Sequence, residues 1–548
     1  MKYLRLFSKS RSLRLSTAIL LVAALYSAAT FSLIAETSLK LTEVSVPGAD
    51  GSLNNTLFVF DRYLIVAPFA PSVDINEDAD LSEYDNHFVR LIDTKKPDRD
   101  ILSADLQAYY PSKILYDPVK ANVFIRGTEY DYIGGGEYEP TDVITQLRLN
   151  LDDNGKPIFG STAVKIRIPG VNASTVSSAP ENFVLGRQGD LLVFSNGASI
   201  FTYNVVKGFL YEVGFVSPID YGPNNRISFF NVDPASNTLV VAVSKKEEIE
   251  EDNRKYSSVI KFYRLEEDGS ITALKELNEG SFPEGAALTA GNNVAISSDS
   301  TTGSPEYGYF IISDGSLCQV DLRGNDLFGT INILNNFPEL AQADPGNASP
   351  RIVEYDSSKR LVVIVNQGFV TDIRRPINIG RGGRIRRPIN IHRVVELPAF
   401  VLATLNKKST RVTSSNTYSG GFEETGGLSN FVLDQESRGL IATYDGKLFS
   451  VNLSGDVAQA SLNLEGDIGS RVDQIQYNSA RSTLAAINSV ALDEETSQMT
   501  TPGSLIVAKL QSGANQASST SLIQMFTLGK PLLASVVTSI RRPCNVRR

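Results

Sequence analysis

Arginine is concentrated in one segment of this chain, between residues 373 and 393. The segment reads IRRPINIGRGGRIRRPINIHR, a tandem copy of I-R-R-P-I-N-I around a glycine-rich turn, and it contains no acidic residue. Guanidinium groups form bidentate hydrogen bonds with phosphate, sulfate and carboxylate, so the segment predicts an arm that binds an anionic partner. The alternative is a duplicated surface insertion without a binding role. The arginines of this predicted arm are Arg374, Arg375, Arg381, Arg384, Arg386, Arg387 and Arg393.

A second segment, nearer the N-terminus, places oxygen-bearing side chains at alternate positions. Carboxylate and amide oxygens are the ligands that Ca²⁺ prefers, so the spacing is compatible with a calcium site. An EF-hand loop would have glycine where Ala79 stands, so the segment is not that motif. A calcium loop and a merely solvated acidic loop both stay open. The candidate ligands are Asp74, Asn76, Asp78 and Asp80.

The other reactive residue types give no recognisable catalytic arrangement. The chain has two histidines, His87 and His392, far apart and without metal-ligand spacing. Its two cysteines, Cys318 and Cys544, form no metal cluster, and whether they pair in a disulfide is left open. No nucleophile elbow, phosphate-binding loop or dinucleotide-binding motif is present. The sequence therefore names no catalytic residue.

The N-terminus has the layout of a secretory signal peptide. Basic residues precede the apolar run TAILLVAALYSAATFSLI, and small residues lie near its end. We predict a signal peptide over residues 1–35, with cleavage after Ala29 or Ala35, and a periplasmic or secreted protein. The alternative is an uncleaved membrane anchor, since the run approaches the length of a short span. No second hydrophobic segment follows, so no transmembrane segment is expected in the mature chain.

Composition and charge narrow the class of protein. The chain has 548 residues, of which 42% are hydrophobic and 21% charged, as in globular proteins. Its formal net charge of −9 argues against a nucleic-acid binder, which needs a basic surface. Short runs of Val, Ile, Leu, Thr, Tyr and Phe predict strands throughout, and helical periodicity is nearly absent.

A repeat runs through the chain and predicts its architecture. Each copy is a short apolar strand, an acidic or amide residue, a polar turn and a second apolar strand. Asp and Asn cap such turns through hydrogen bonds with their own backbone, as in a hairpin. Two further strand candidates follow each pair. The five clearest copies have Asp117, Asp233, Asp356, Asp434 and Asn478 at the turn.

Four strands per unit, repeated about eight times, is the plan of a single large β-propeller. We therefore predict an all-β fold with four-stranded antiparallel blades, eight in number, with seven as the alternative. The propeller should span residues 36–530, with the arginine-rich loop 372–394 inserted and a basic tail over 531–548. Strand-like stretches at 38–46 and 521–528 lie at opposite ends, and one of them should complete a blade begun by the other terminus.

Two copies carry a family resemblance. The stretches DPASNTLVVAV and YDPVKANVFI resemble the NHL and YVTN type of propeller repeat, which includes lactonase-like propellers, in having an Asp-Pro turn before a strand. The resemblance implies the architecture. It carries over no catalytic residue, because no motif of those families maps onto this chain.

These observations favour a binding or scaffolding propeller for a protein or glycan partner, without a cofactor other than the calcium considered above. The alternative is a lactonase-like hydrolase that uses metal-bound carboxylates near the central channel. A structural component of a cell-surface assembly is a third reading. The side chains that line the central channel would distinguish these three functions, but they come together only in the folded protein.

Overall fold

A computed structural model describes most of the chain outside its two ends. The described residues are 40–44, 52–69, 88–96, 101–106, 108–134, 137–172, 183–186, 189–195, 199–205, 219–220, 225–250, 253–283, 293–341, 351–373, 391–396, 398–419, 422, 427–434, 438–443, 445–469, 472–488, 491–492, 499–501, 504–510, 524–527 and 530–533.

The described residues form eight four-stranded antiparallel sheets, which are the blades of one propeller ring. Blade 1 contains Ser52–Val59, Tyr63–Phe69, Phe88–Asp93 and Ile101–Asp105. Blade 2 contains Tyr109–Asp117, Asn122–Gly134, Glu137–Leu151 and Pro157–Asn172. Blade 3 contains Phe183–Gly186, Leu191–Ser195, Ser199–Asn204 and Ile219–Asp220. Blade 4 contains Asn225–Asp233, Thr238–Glu250, Asn253–Leu265 and Ile271–Leu277.

The second half of the chain continues the same order. Blade 5 contains Ala295–Ser298, Pro305–Ile311, Ser316–Asp321 and Ile331–Asn336. Blade 6 contains Arg351–Asp356, Leu361–Asn366, Ala399–Leu405 and Val412–Tyr418. Blade 7 contains Leu428–Asp434, Arg438–Thr443, Lys447–Asn452 and Leu462–Asp467. Blade 8 contains Val472–Asn478, Thr483–Asn488, Ser504–Lys509 and, from the N-terminal end, Lys40–Val44. The predicted all-β propeller with eight blades is confirmed.

The core lies between neighbouring blades. In most pairs of neighbouring blades the two first strands lie side by side, so first strands are innermost in the ring. Second strands are buried along their length, as in Leu361–Asn366, whereas a fourth strand such as Ile331–Asn336 is largely exposed. Phe400 of blade 6 packs on Phe431 of blade 7, with ring centroids 5.4 Å apart. Burial on both faces explains the near-continuous apolar runs of the inner strands.

The turns after the innermost strands of blades 2, 4, 6 and 8 have the predicted cap. The Oδ1 atoms of Asp117 and Asp356 each accept the backbone N–H two residues later, at 2.9 Å in both turns. Asn478 Oδ1 accepts the N–H of Arg481 at 3.1 Å. The last turn residue then adopts a left-handed backbone that brings the chain into the second strand. These left-handed residues are Ala121, Asn237, Arg360 and Ser482.

The two ends of the chain close the ring in blade 8. The N-terminal strand Lys40–Val44 pairs antiparallel with Ser504–Lys509, from Lys40 opposite Lys509 to Val44 opposite Leu505. Inside the ring, the N–H of Thr56 in blade 1 donates to Gln474 Oε1 in blade 8 at 3.0 Å. Of the two stretches considered for closure, the N-terminal one completes the blade.

Other described elements lie outside the blade sheets. Two-stranded hairpins form from Phe369–Ile373 with Ile391–Glu396, from Ala491–Leu492 with Met499–Thr501, and from Gln524–Thr527 with Lys530–Leu533. The last of these lies beside the innermost strands of blades 7 and 8. Single 3-10 turns occur at Glu279–Ser281, Pro338–Leu340, Val457–Gln459 and Ser479–Arg481. Within the described ranges, no helix is long and apolar enough to span a membrane.

Candidate functional site

A cavity of about 350 Å³ lies among the innermost strands of blades 4, 5 and 6 and the turns that follow them. We call it the blade 5 cavity, because blade 5 stands between the other two. Blade 5 contributes an innermost strand of four residues, whereas that of blade 4 has nine. The walls combine apolar side chains with carboxylates, amides and hydroxyls.

Glu354 is a buried carboxyl in the cavity wall. It stands on the innermost strand of blade 6 and is only 7% exposed. Its Oε2 atom is buried and has no hydrogen-bond partner among the described residues. Burial raises the pKa of this carboxyl to about 8, because the charged form loses its hydration. At neutral pH Glu354 is therefore mostly protonated in the empty cavity.

Asn231 places a second acceptor on the same cavity from the innermost strand of blade 4. Its Oδ1 atom is buried and likewise lacks a hydrogen-bond partner in the described part of the chain. Asn231 and Glu354 occupy equivalent positions, each two residues before the acidic residue of its turn. The repeat therefore brings two hydrogen-bond acceptors to opposite sides of blade 5.

The other two carboxylates of the cavity wall already hold the fold together. Asp233 Oδ2 accepts the N–H of Ser236 at 3.0 Å and the hydroxyl of Ser298 in blade 5 at 2.6 Å. Asp299 accepts the N–H groups of Thr301 and Thr302 at 2.7 and 2.8 Å. These two hydrogen bonds lower the pKa of Asp299. Asp233 thus accepts hydrogen bonds within its turn and from blade 5, and Asp299 accepts them within its own turn, whereas Glu354 Oε2 has no partner among the described residues.

The cavity wall also contains a tyrosine hydroxyl. Tyr355 lines the cavity too, and burial raises the pKa of its hydroxyl to about 12, so it stays protonated. Across the described residues, no three His, Cys, Asp or Glu side chains are grouped so that they could hold a metal ion. The wall thus offers hydrogen-bond acceptors to a donor-bearing ligand.

The chain matches no protein-family model and no curated protein. Similar solved structures include a protein predicted to be a 6-phosphogluconolactonase from Bacteroides fragilis, at 10% identity and a TM-score of 0.36. That match covers 78% of this chain and 98% of the other. The WD40 repeats of RRP9 match at 8% identity and a TM-score of 0.36, over 86% and 97% of the two chains. Prolyl oligopeptidase B from Galerina marginata matches at 11% and 0.40, over 82% and 55%. TM-scores and identities as low as these do not indicate the function of this chain.

The arginine-rich segment is carried by the hairpin between the second and third strands of blade 6. Those two strands pair with each other over their whole length, from Leu361 opposite Thr404 to Asn366 opposite Ala399. The inserted hairpin therefore takes the place of no blade strand and is an addition to blade 6. At its base, the backbone carbonyl of Gln367 accepts the N–H of Leu428 in blade 7 at 3.1 Å. The hairpin base is thus fixed between blades 6 and 7.

The structure places only part of the predicted site residues. Arg393 lies on the strand Ile391–Glu396, opposite Thr371, so the two ends of the segment 372–394 pair as a hairpin. The other six arginines and the candidate calcium ligands lie outside the described residues, as does His87, and the calcium site stays a prediction. Cys318 is buried with a free thiol, and burial raises its pKa to about 12. No described residue of the arginine segment lines the blade 5 cavity, and the calcium segment lies outside the described residues.

Glu354 and Asn231 were missed at the sequence level, although the repeat contains a signal for them. Two of the five clearest copies have an apolar residue two places before the turn residue, Leu115 and Val432. Blades 4, 6 and 8 have Asn231, Glu354 and Gln476 there. This position is buried between blades, so a polar residue there predicts a buried polar group.

Gln476 provides a test of what such a buried group contributes to stability. It is fully buried, and neither Nε2 nor Oε1 has a hydrogen-bond partner among the described residues. Gln476→Met should raise the free energy of unfolding by about 1–3 kcal/mol, because a desolvated, unpaired amide is replaced by an apolar side chain of similar shape. The reverse change at the matched position, Leu115→Gln, should lower it by a similar amount. Urea denaturation of both variants measures the difference, and a destabilised Gln476→Met would contradict the assignment.

Proposed function

We propose that this protein is an exported binding module that recognises an anionic protein surface or glycan through the arginine arm. The observation that carries the proposal is the intact ladder between Leu361–Asn366 and Ala399–Leu405. Because blade 6 is complete without the insertion, the hairpin serves no blade-forming role. An addition of this kind, fixed at its base and rich in one charge, suits the capture of a partner.

The charge of the arm supports this reading. The chain carries a net charge of −9, yet seven arginines stand within residues 373–393 and no acidic residue lies within that segment. At physiological ionic strength a charge acts over about 8 Å, so the partner has to touch the arm itself. Guanidinium groups would then form paired hydrogen bonds with sulfate, phosphate or carboxylate, which lysine does not reproduce.

Export is part of the proposal and rests on the basic and apolar N-terminal segment. A metal-dependent hydrolase has no comparable support, since the described carboxylates that meet at the blade 5 cavity do not form a metal-binding group.

The test removes the arm while keeping the ring. Residues 374–390 are replaced by a short Gly-Ser turn that joins Phe369–Ile373 to Ile391–Glu396, and binding to immobilised heparin is measured against salt concentration. We expect the variant to keep its thermal stability and to lose at least tenfold in affinity, because six of the seven arginines are gone.

A matched variant separates charge from geometry. Replacing the same six arginines by lysine keeps the charge and should retain the salt dependence with weaker binding, because the paired hydrogen bonds are lost. Heparin binding that stays equally tight and salt-sensitive after the deletion would reject the arm as the binding surface.

A further inference from the structure

We propose that the blade 5 cavity binds a cationic group, an alkylammonium or guanidinium, between Glu354 of blade 6 and Asn231 of blade 4. This site is separate from the arginine arm, and it would take a ligand of opposite charge.

The first argument is the kind of hydrogen-bonding groups left over. Glu354 Oε2 and Asn231 Oδ1 are both buried, both line the cavity, and neither has a partner among the described residues. Both atoms are acceptors when the carboxyl is ionised, so an occupant must supply donors. Ammonium and guanidinium groups supply three and five N–H donors and no acceptor, and they neutralise the carboxylate as well.

The second argument is the charge of the wall. Asp233 and Asp299 line the cavity from blades 4 and 5, and Tyr355 adds a neutral hydroxyl beside Glu354. No lysine, arginine or histidine stands among the described residues of the wall. The nearest basic residue along the strand is Arg351, whose Nη1 donates to the carbonyl of Ile312 in blade 5 at 3.0 Å. The cavity is therefore suited to a cation and would repel an anion.

The third argument is shape. Val232, Ile296 and Ile352 contribute apolar surface to the same wall. A cavity of about 350 Å³ has room for a ligand with an aliphatic stem and a charged end, such as a lysine or arginine side chain of a partner. The stem would pack on the apolar wall while the charged end reaches the two acceptors.

The fold does not require these polar groups. Leu115 and Val432 occupy the equivalent positions of blades 2 and 7 and are buried there. An apolar residue thus builds the same innermost strand without leaving an acceptor unpaired. The buried carboxyl of Glu354 is therefore explained by the cationic ligand that it binds.

Binding should depend on pH in a defined direction. The cation pairs with the ionised form of Glu354, whereas burial in the empty cavity keeps the carboxyl protonated up to about pH 8. Binding therefore releases a proton, and affinity should rise about tenfold per pH unit below pH 8 and level off above it. Asp299, with a lowered pKa, is already ionised throughout that range.

The experiment titrates the full-length protein with Nα-acetyl-lysine amide by isothermal titration calorimetry between pH 6 and 9. Nα-acetyl-arginine amide tests the guanidinium, Nα-acetyl-norleucine amide the uncharged stem, and Nα-acetyl-glutamate amide the opposite charge. We expect one or both cations to bind at least tenfold more tightly than norleucine, with the pH dependence above. Glu354→Gln should lose at least tenfold in affinity and should flatten the pH profile.

A second variant guards against an effect of Glu354→Gln on folding. Ala235 lines the cavity from the exposed turn of blade 4, so Ala235→Trp should block entry. Val119 holds the same place in the D-P-x turn of blade 2 and is 52% exposed, so Val119→Trp should bind as the unchanged protein does. Equal binding of norleucine and lysine, preference for glutamate, or unchanged binding in Glu354→Gln would overturn the proposal. Deletion of the arm should leave this titration unaltered, so failure of one proposal is distinguishable from failure of the other.

Discussion

Replacing Val241 with aspartate should prevent the chain from forming a stable ring. Val241 lies on the second strand of blade 4, is fully buried, and packs in a cluster that includes Val193 and Ile200 of blade 3. Lys261 stands opposite Val241 on the third strand, but it already pairs with Glu276 at 3.2 Å. A buried carboxylate without a cation of its own costs about 3–5 kcal/mol. That loss is a large part of the stability of a typical protein. Near-ultraviolet circular dichroism, which reports the tyrosines of this tryptophan-free chain, should show lost tertiary packing.

The matched control introduces the same charge into the same blade at an exposed place. Thr272 lies on the outermost strand Ile271–Leu277 and is exposed. Thr272→Asp should change the free energy of unfolding by no more than about 0.5 kcal/mol, as surface substitutions usually do. If Val241→Asp melted at the temperature of the unchanged protein, Val241 could not lie between two packed blades.

A chain that begins at residue 45 should be far less stable than one that begins at residue 36. The shorter chain lacks Lys40–Val44, so Ser504–Lys509 becomes the edge of blade 8 and loses its outer hydrogen-bond ladder. Ala508 and Leu505, both buried in the closed ring, would lose the cover of that strand. We expect a lowered thermal midpoint and concentration-dependent aggregation, because an unpaired strand edge is a template for association.

The chain from residue 36 is the control, because it matches one of the two predicted cleavage positions and keeps the closing strand. It should melt like the full-length protein. Adding a synthetic peptide with the sequence KLTEV to the shorter chain should restore part of the lost stability by occupying the vacant edge. Equal melting of the two truncated chains would show that the N-terminal strand does not hold the ring closed.

The fold was predictable because its cause is local and repeated. The cap at Asp117 or Asn478 depends on residues within the same turn, and each inner strand has to be apolar on both faces. Eight similar signals along one chain also set the number of blades. The choice between the two ends for closure was less accessible, because it depends on pairing across more than 450 positions, Lys40 with Lys509.

The candidate site was harder to foresee, because it joins three blades. Asn231 and Glu354 are far apart in the chain and become neighbours of one cavity only when blades 4 and 6 flank blade 5. The charged segments that attract notice in the sequence, at Asp74 and Arg374, are conspicuous because their charged residues lie close together along the chain. A buried ligand-binding group is a single polar residue in an apolar strand, and its meaning appears only after the repeat is aligned.

The way in which the two ends meet in blade 8 determines how the ring would respond to a pulling force. Lys40 stands opposite Lys509, so the chain before the closing strand and the chain after the last blade strand leave from the same end of the pair. Tension between those two ends would load the hydrogen bonds one after another, as in opening a zipper, instead of shearing all of them together. The closure would thus open at a lower force than a strand pair that is loaded in shear. A chain still tethered to a membrane by its N-terminal segment would transmit force directly to this closure, and cleavage of that segment would relieve it.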